Sequence, residues 1–198
     1  FYVRDGGVFN LFGGTLKGTK TVSSDGGLGV IGLNADGGAV MNMYGGTITG
    51  GKTSKQGGNI VLYHDSVLNI YGGTVSNGTA AEGQGGNIYS TGPVNIYGGT
   101  ITGGKATLYK DQDGLELYNS AQGGGIYCYD DHVNVSGESV IFDNPGGNLY
   151  LSPSSSVEFK NLTGNAKIVY DAAREVILSV AEGDSGSAVV SGIEIMTT

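Results

Sequence analysis

Apolar and polar residues alternate along most of the chain in short runs, and several of these runs end on a pair of glycines. In the run PVNIY (93–97), Val94 and Ile96 fall on one face and Asn95 and Tyr97 on the other, the period of two that marks a β-strand. The same alternation turns Met41/Met43, Leu68/Ile70 and Val133/Val135 inward. Gly-Gly pairs follow at 13–14, 45–46, 72–73 and 98–99, where two residues without Cβ allow a sharp bend at positive φ. A short strand such as TIT (100–102), the third of each copy, comes next with its middle residue inward. A further strand type, the first of each copy when PVNIY is taken as the second, begins after the following glycines, at 59–63, 87–89, 125–129 and 148–151.

These elements recur. The segments 59–86 and 87–106 nearly copy each other, 39–58 is a partial copy, 8–20 a degenerate one, and 125–147 and 148–165 are later variants. Aligned copies place Asn10, Asn42, Asn69, Asn95 and Asn134 at one position, and the two longest steps between them contain the extra segments 21–29 and 108–120. No run has the helical period that a βαβ crossover would need. Three short strands per copy of roughly 22–28 residues describe a coil whose equivalent strands stack as parallel sheets. The predicted fold class is therefore all-β: a right-handed parallel β-helix (a solenoid) of about six to seven coils over residues 1–170, with an insertion at 106–120. Residues 171–198, with two apolar strands around a Gly-Asp-Ser-Gly turn, are expected to form a capping strand or hairpin.

The pattern GGNIY…VNIYGGTITGG resembles the right-handed parallel β-helix of pectin-lyase-like proteins. More narrowly, it is similar to Gly-rich β-helix repeats in large surface proteins of Gram-positive bacteria. The resemblance covers roughly residues 1–170 and implies an architecture and an extracellular, cell-surface or secreted setting. By analogy it also implies an alternative function, a polysaccharide lyase or glycoside hydrolase with a groove over the first-strand sheet (59–63 and its equivalents).

Composition narrows the partners. Of 198 residues, 39 are Gly and only 3 are Pro, without a three-residue period, which excludes collagen. Hydrophobic residues at 38% and 12 Tyr argue against disorder. A net charge of −8 suits neither a nucleic-acid backbone nor an anionic membrane surface. No apolar run approaches the length of a membrane-spanning helix. The single cysteine, Cys128, falls at an inward position and is expected to be a free, inert core thiol. The chain opens at Phe1, mid-copy, so it is expected to be part of a larger multidomain protein.

Candidate chemistry lies on the outward positions. One column runs Phe12, Tyr44, Tyr71, Tyr97 and then Ser136, beside the aligned Asn69 and Asn95; another, on the first strands, runs Val61, Tyr89, Tyr127 and Tyr150. Aromatic stripes backed by amides suit glycans, since sugar C–H faces pack on rings while amides donate and accept hydrogen bonds. The same ladders also stabilise a stack of strands. At the corner between first and second strands, Asp65, Asp130 and Asp131, with His64, Thr91 and His132 nearby, offer carboxylates at a spacing that could bind Ca²⁺; a solvated turn is the favoured account, since the acidic pair comes only on alternate copies and no DxDxDG-like loop occurs. No other cofactor is suggested. Thr47/Thr49, Thr74/Ser76 and Thr100/Thr102 form an outward array ended by Thr15/Lys17 and Ser139/Ile141, and Thr is a good exposed strand former. Lys52, Lys105, Asp111, Asp113, Glu116 and Asp143 are raw material for catalysis without a spacing that assigns roles. The string 183–186 matches the surroundings of a serine-protease nucleophile, but a tight turn explains it without the partners that chemistry requires. The expected function is a non-catalytic extracellular module that binds a glycan or other cell-surface ligand, or acts as a spacer or plain structural stalk.

Overall fold

In the computed structural model, residues 1–18, 30–33, 38–107, 122–163, 166–168 and 177–178 are described. All their regular structure is β, and every strand pairing among them is parallel. The first-type strands Tyr2–Val3, Ile31–Leu33, Ile60–Leu62, Ile88–Ser90, Ile126–Cys128 and Leu149–Leu151 form one sheet in chain order. The second-type strands Val8–Leu11, Val40–Met43 and Val67–Ile70 continue into Val94–Thr102, His132–Phe142 and Ser156–Leu162 of another sheet. In each ladder a strand's hydrogen-bonding neighbours are its counterparts in the copies before and after it. The larger sheet holds two such ladders, the second-type strands and the third-type strands Thr15–Lys17, Thr47–Thr49 and Thr74–Ser76, which meet in the continuous strand Val94–Thr102.

Register follows from the side-chain period. Asn10 pairs with Asn42, Asn42 with Asn69, Asn69 with Asn95, and Asn95 with Asn134, as the aligned sequence predicts. A slip by one residue would turn Leu68, Ile70, Val94 and Ile96 to the opposite face, and all four are at most 1% exposed. They join Ile48, Val75 and Ile101 of the third-type strands, and Ile60 and Ile88 of the first-type strands, in a single apolar cluster. Burying each such side chain contributes about 1.5–3 kcal/mol. No copy can bury these residues without the copies on either side of it.

The second glycine of each doublet carries the bend: φ is 82° at Gly14, 85° at Gly46, 90° at Gly73 and 94° at Gly99. A Cβ on Gly99 would also lie 2.8 Å from the Gly73 carbonyl oxygen. Both conditions select glycine.

The structure departs from the predicted three strands per copy in two ways. Val94–Thr102 runs through its glycine doublet as one continuous strand, so the bend does not interrupt the ladder. A fourth ladder also exists, formed by Lys52–Thr53, Thr79–Ala80 and Lys105–Ala106. Ala106, expected at the start of the insertion, is therefore a ladder residue paired with Ala80; residues 108–120 lie outside the described set. Of the expected cap, only Ile177–Leu178 is described, and it pairs in parallel with Glu158 and Phe159.

A third difference is a β-bulge. Ile96 pairs with Val135, but Gly98 pairs with Glu138, so Ser136 and Gly137 together oppose Tyr97. The shift places Val140 and Phe142, instead of Ser139 and Ile141, beside Thr100 and Thr102. Ile141 is consequently an inward core residue, fully buried.

Candidate functional site

The second-strand column forms as the alternation predicts and remains open to solvent. Phe12, Tyr44, Tyr71 and Tyr97 stack face to face, with successive centroids 5.0, 5.0 and 4.9 Å apart and ring planes within 10° of parallel. That spacing is the separation of adjacent strands, so the register itself imposes the stack. The three tyrosines are 44–46% exposed. Burial and the neighbouring phenols Tyr97 and Tyr44 hold the Tyr71 hydroxyl above its ordinary pKa.

Beside the rings runs an amide ladder. Asn42 donates to Asn10 Oδ1 at 2.9 Å, Asn69 to Asn42 and Asn95 to Asn69 at 2.9 Å each, and Asn134 to Asn95 at 2.8 Å. Each side-chain amide thus spans to the copy before it. The ladder ends at Asn134, whose own Oδ1 receives no donor among the described residues.

At that end the aromatic stack also stops. Ser136 and Gly137 stand where a further ring would continue it, and the following copy adds another irregularity, with Lys160 and Asn161 inserted between the residues paired to Val135 and Gly137. The result is a hollow of about 580 Å³ lined by Tyr97, Asn134, Ser136, Glu158, Lys160 and Asn161, among others. Lys160 forms an ion pair with Glu158 at 2.5 Å. The Ser136 hydroxyl donates to the Ile96 carbonyl at 3.3 Å.

The first-strand column has similar geometry in a different setting, which corrects the expectation of a second open surface. Tyr89 and Tyr127 stack at 5.6 Å and Tyr127 and Tyr150 at 5.0 Å, yet Tyr89 is 7% and Tyr127 5% exposed. With Val61, and with Tyr63 and Tyr150 packed against them, they form a small apolar cluster separate from the main core. Burial, reinforced by neighbouring tyrosines, pushes both phenols up to about 12. Among the described residues, the face over this sheet is thus a patch of Val61 and tyrosine rings without a carboxylate or lysine cluster. Tyr89, Tyr127 and Tyr150 belong to a packed layer. The open rings are Tyr44, Tyr71 and Tyr97.

The acidic corner does not assemble as a calcium cage. Asp65 and Asp130 are exposed, and His64 and Asp130 hold φ at 47° and 64°, conformations that Asp, Asn and His tolerate best among residues with side chains. Asp130 accepts from Ser154, and Asp131 Oδ1 lies 2.6 Å from His132 Nδ1. The His64 backbone N–H donates to Thr91 at 2.6 Å. Among the described residues, no group of three or more His, Cys, Asp or Glu side chains is arranged to hold a metal ion. These are turn residues engaged with their own neighbours.

The remaining candidates are quickly placed. Lys52 and Lys105 are exposed on the fourth ladder, separated by Thr79. Asp143 occupies a positive-φ corner. Cys128 is a fully buried free thiol in the main core, and burial pushes it up to about 11. Asp111, Asp113, Glu116 and the Gly-Asp-Ser-Gly string at 183–186 lie outside the described residues.

Sequence reasoning missed a second, internal amide ladder. Asn59 donates to Asn87 Oδ1 at 2.8 Å, Asn87 to Asn144 at 3.1 Å and Asn144 to Asn148 at 2.9 Å; all four are at most 6% exposed. The side-chain oxygens of Asn59, Asn87 and Asn144 also cap the backbone N–H groups of Gly51, Gly78 and Gly104 at 2.8–2.9 Å. The recurrent GGN triplet was the available signal.

Comparison of the chain with protein-family models, curated proteins and solved structures finds no match. The functional reading rests on the geometry.

Proposed function

We propose that the chain is a right-handed parallel β-helix module of an extracellular bacterial surface protein, and that it binds glycan without catalysis along its open tyrosine–asparagine face. Coiling is supported by strands of each type that pair with their counterparts in chain order, all parallel, through connections containing no helix among the described residues. The right hand follows from the strong preference of parallel crossovers for that sense.

The observation that carries the binding reading is the repeated pair on the open face. At each step of 4.9–5.0 Å, one phenol edge with its hydroxyl and one side-chain amide are presented together, from Tyr44 to Tyr97. A periodic ligand with hydroxyls and C–H surfaces, an extended polysaccharide, matches such an array. Carboxylates and cations are sparse on it, so a neutral glycan is favoured over a charged one. A cell-surface glycan of this kind is the partner.

A glycan array probed with the chain and with Tyr71→Ala tests this reading. Binding to neutral polysaccharides that rises with oligomer length and falls in the variant is the expected result. Silence from the unaltered chain would favour a spacer. That second reading draws on the internal Asn59–Asn87–Asn144–Asn148 ladder, which ties successive copies together independently of any ligand.

A further inference from the structure

We infer that the hollow beside Tyr97 seats one neutral hexopyranose unit, stacked on the single tyrosine face that the aromatic column leaves open. This deepens the glycan reading above and rests on it. Tyr44 and Tyr71 each have a ring stacked on both sides, so their faces are occupied by neighbours and only their edges meet a ligand. Tyr97 stacks on Tyr71 alone. Its other face looks toward the copy in which Ser136 and Gly137 replace the expected ring.

Two consecutive irregularities keep the described residues out of that place. The bulge sets two small residues opposite Tyr97, with Gly137 at φ 61° and no room for a Cβ, which would meet the Tyr97 carbonyl oxygen at 2.1 Å. The next copy then carries Lys160 and Asn161 outward around the gap, with Asn161 at φ 47°. Bulges of this kind redirect side chains at binding sites. The space left is about 580 Å³, open to solvent and large enough for a single sugar unit.

The rim supplies the hydrogen-bonding groups such a ring requires. Asn134 Oδ1, the undonated end of the outer amide ladder, accepts from a sugar hydroxyl. Glu158 accepts and Lys160 donates, and their ion pair leaves the seat without net charge, which favours a neutral unit. A pyranose presenting an unbroken C–H face to Tyr97 and hydroxyls to this rim satisfies both halves of the site.

The test uses the whole chain with methyl β-glucopyranoside and methyl β-galactopyranoside as probes, followed by NMR. Saturation transfer to the sugar C–H protons is expected, with backbone shifts concentrated at Tyr97, Asn134, Ser136 and Lys160. Ser136→Tyr, which supplies the missing ring, should weaken binding roughly tenfold, as should Tyr97→Ala. The shift map on the unaltered chain decides the matter if either variant fails to fold. Shifts spread over Tyr44 and Tyr71, or full affinity in folded Ser136→Tyr, would overturn the seat while leaving the glycan reading in place. Shifts produced by tyrosine amide but by neither pyranoside would assign the hollow to an aromatic peptide side chain instead. Silence from both pyranosides would overturn the seat, and a silent glycan array would remove the broader reading as well.

Discussion

Tyr44, Tyr71 and Tyr97 stack at 5.0 and 4.9 Å, and Tyr89, Tyr127 and Tyr150 at 5.6 and 5.0 Å, with ring planes within 10° of parallel in both columns. The two columns share residue type, strand spacing and direction. They differ in surroundings: the first is nearly half exposed, while Tyr89 and Tyr127 are buried against Val61 and Tyr63. An identical ladder therefore meets two environments, and burial decides what it contributes. A covered stack contributes packing. An open one contributes little to stability and leaves its hydroxyls and edges free for a ligand.

The comparison breaks most sharply under truncation of a covered ring. Tyr127→Ala should cost about 3–5 kcal/mol, read as a lower midpoint in urea unfolding, because a buried aromatic leaves a cavity behind. A loss below that of an exposed tyrosine would show that the column is not packed as described. Next in size is Asn87→Ala, expected to cost about 2–3 kcal/mol by the same measurement, since it strips the acceptor from the buried Gly78 N–H and cuts the inner ladder.

Alkaline titration sharpens the contrast without mutation. The folded-state pKa of Tyr89 and Tyr127 is raised to about 12 from an ordinary 10.0, so the folded protein holds these protons where the unfolded chain releases them. Stability from this source is whole below pH 10 and falls as pH rises through 12. Tyrosinate absorbance should show a late-titrating class that disappears in Tyr89→Phe/Tyr127→Phe. The smallest effect is expected on the open side. Tyr71→Ala should cost about 0.5–1.5 kcal/mol, the worth of its ring contacts, and a loss as large as that of Tyr127→Ala would erase the distinction between the columns.

Much of the fold was legible in the sequence because a period of two admits one answer wherever one face is buried. Val94 and Ile96 fixed which way their strand faces, and the aligned asparagines fixed which strand pairs with which. The glycine doublets marked the bends because only glycine meets their φ. The fourth ladder was not legible, since strands of two residues such as Lys52–Thr53 are too short to show alternation. Burial of Tyr89 and Tyr127 was hidden because outward from the main core is not the same as exposed; Val61 in that column was the one hint. The register beyond Tyr97 was misread by one residue because the extra position in VSGES looks, without coordinates, like ordinary variation on IYGGT. That insertion, together with the irregularity at Lys160 and Asn161 in the next copy, produces the hollow, so the part of the candidate site hardest to foresee is the part where the repeat fails.

Gly125 stands where its counterparts carry Asn59, Asn87 and Asn148, and a Cβ there would come within 2.9 Å of Asn144 Nδ2 and 2.3 Å of the Asn148 carbonyl oxygen. Asn144, arriving from further along the chain, fills the amide slot that Gly125 vacates. The two segments are consequently interlocked and not interchangeable bricks. Excising a unit between them would remove the Asn144 oxygen to which Asn87 donates and leave that amide only its bond to the Thr102 carbonyl, breaking the inner ladder at its midpoint.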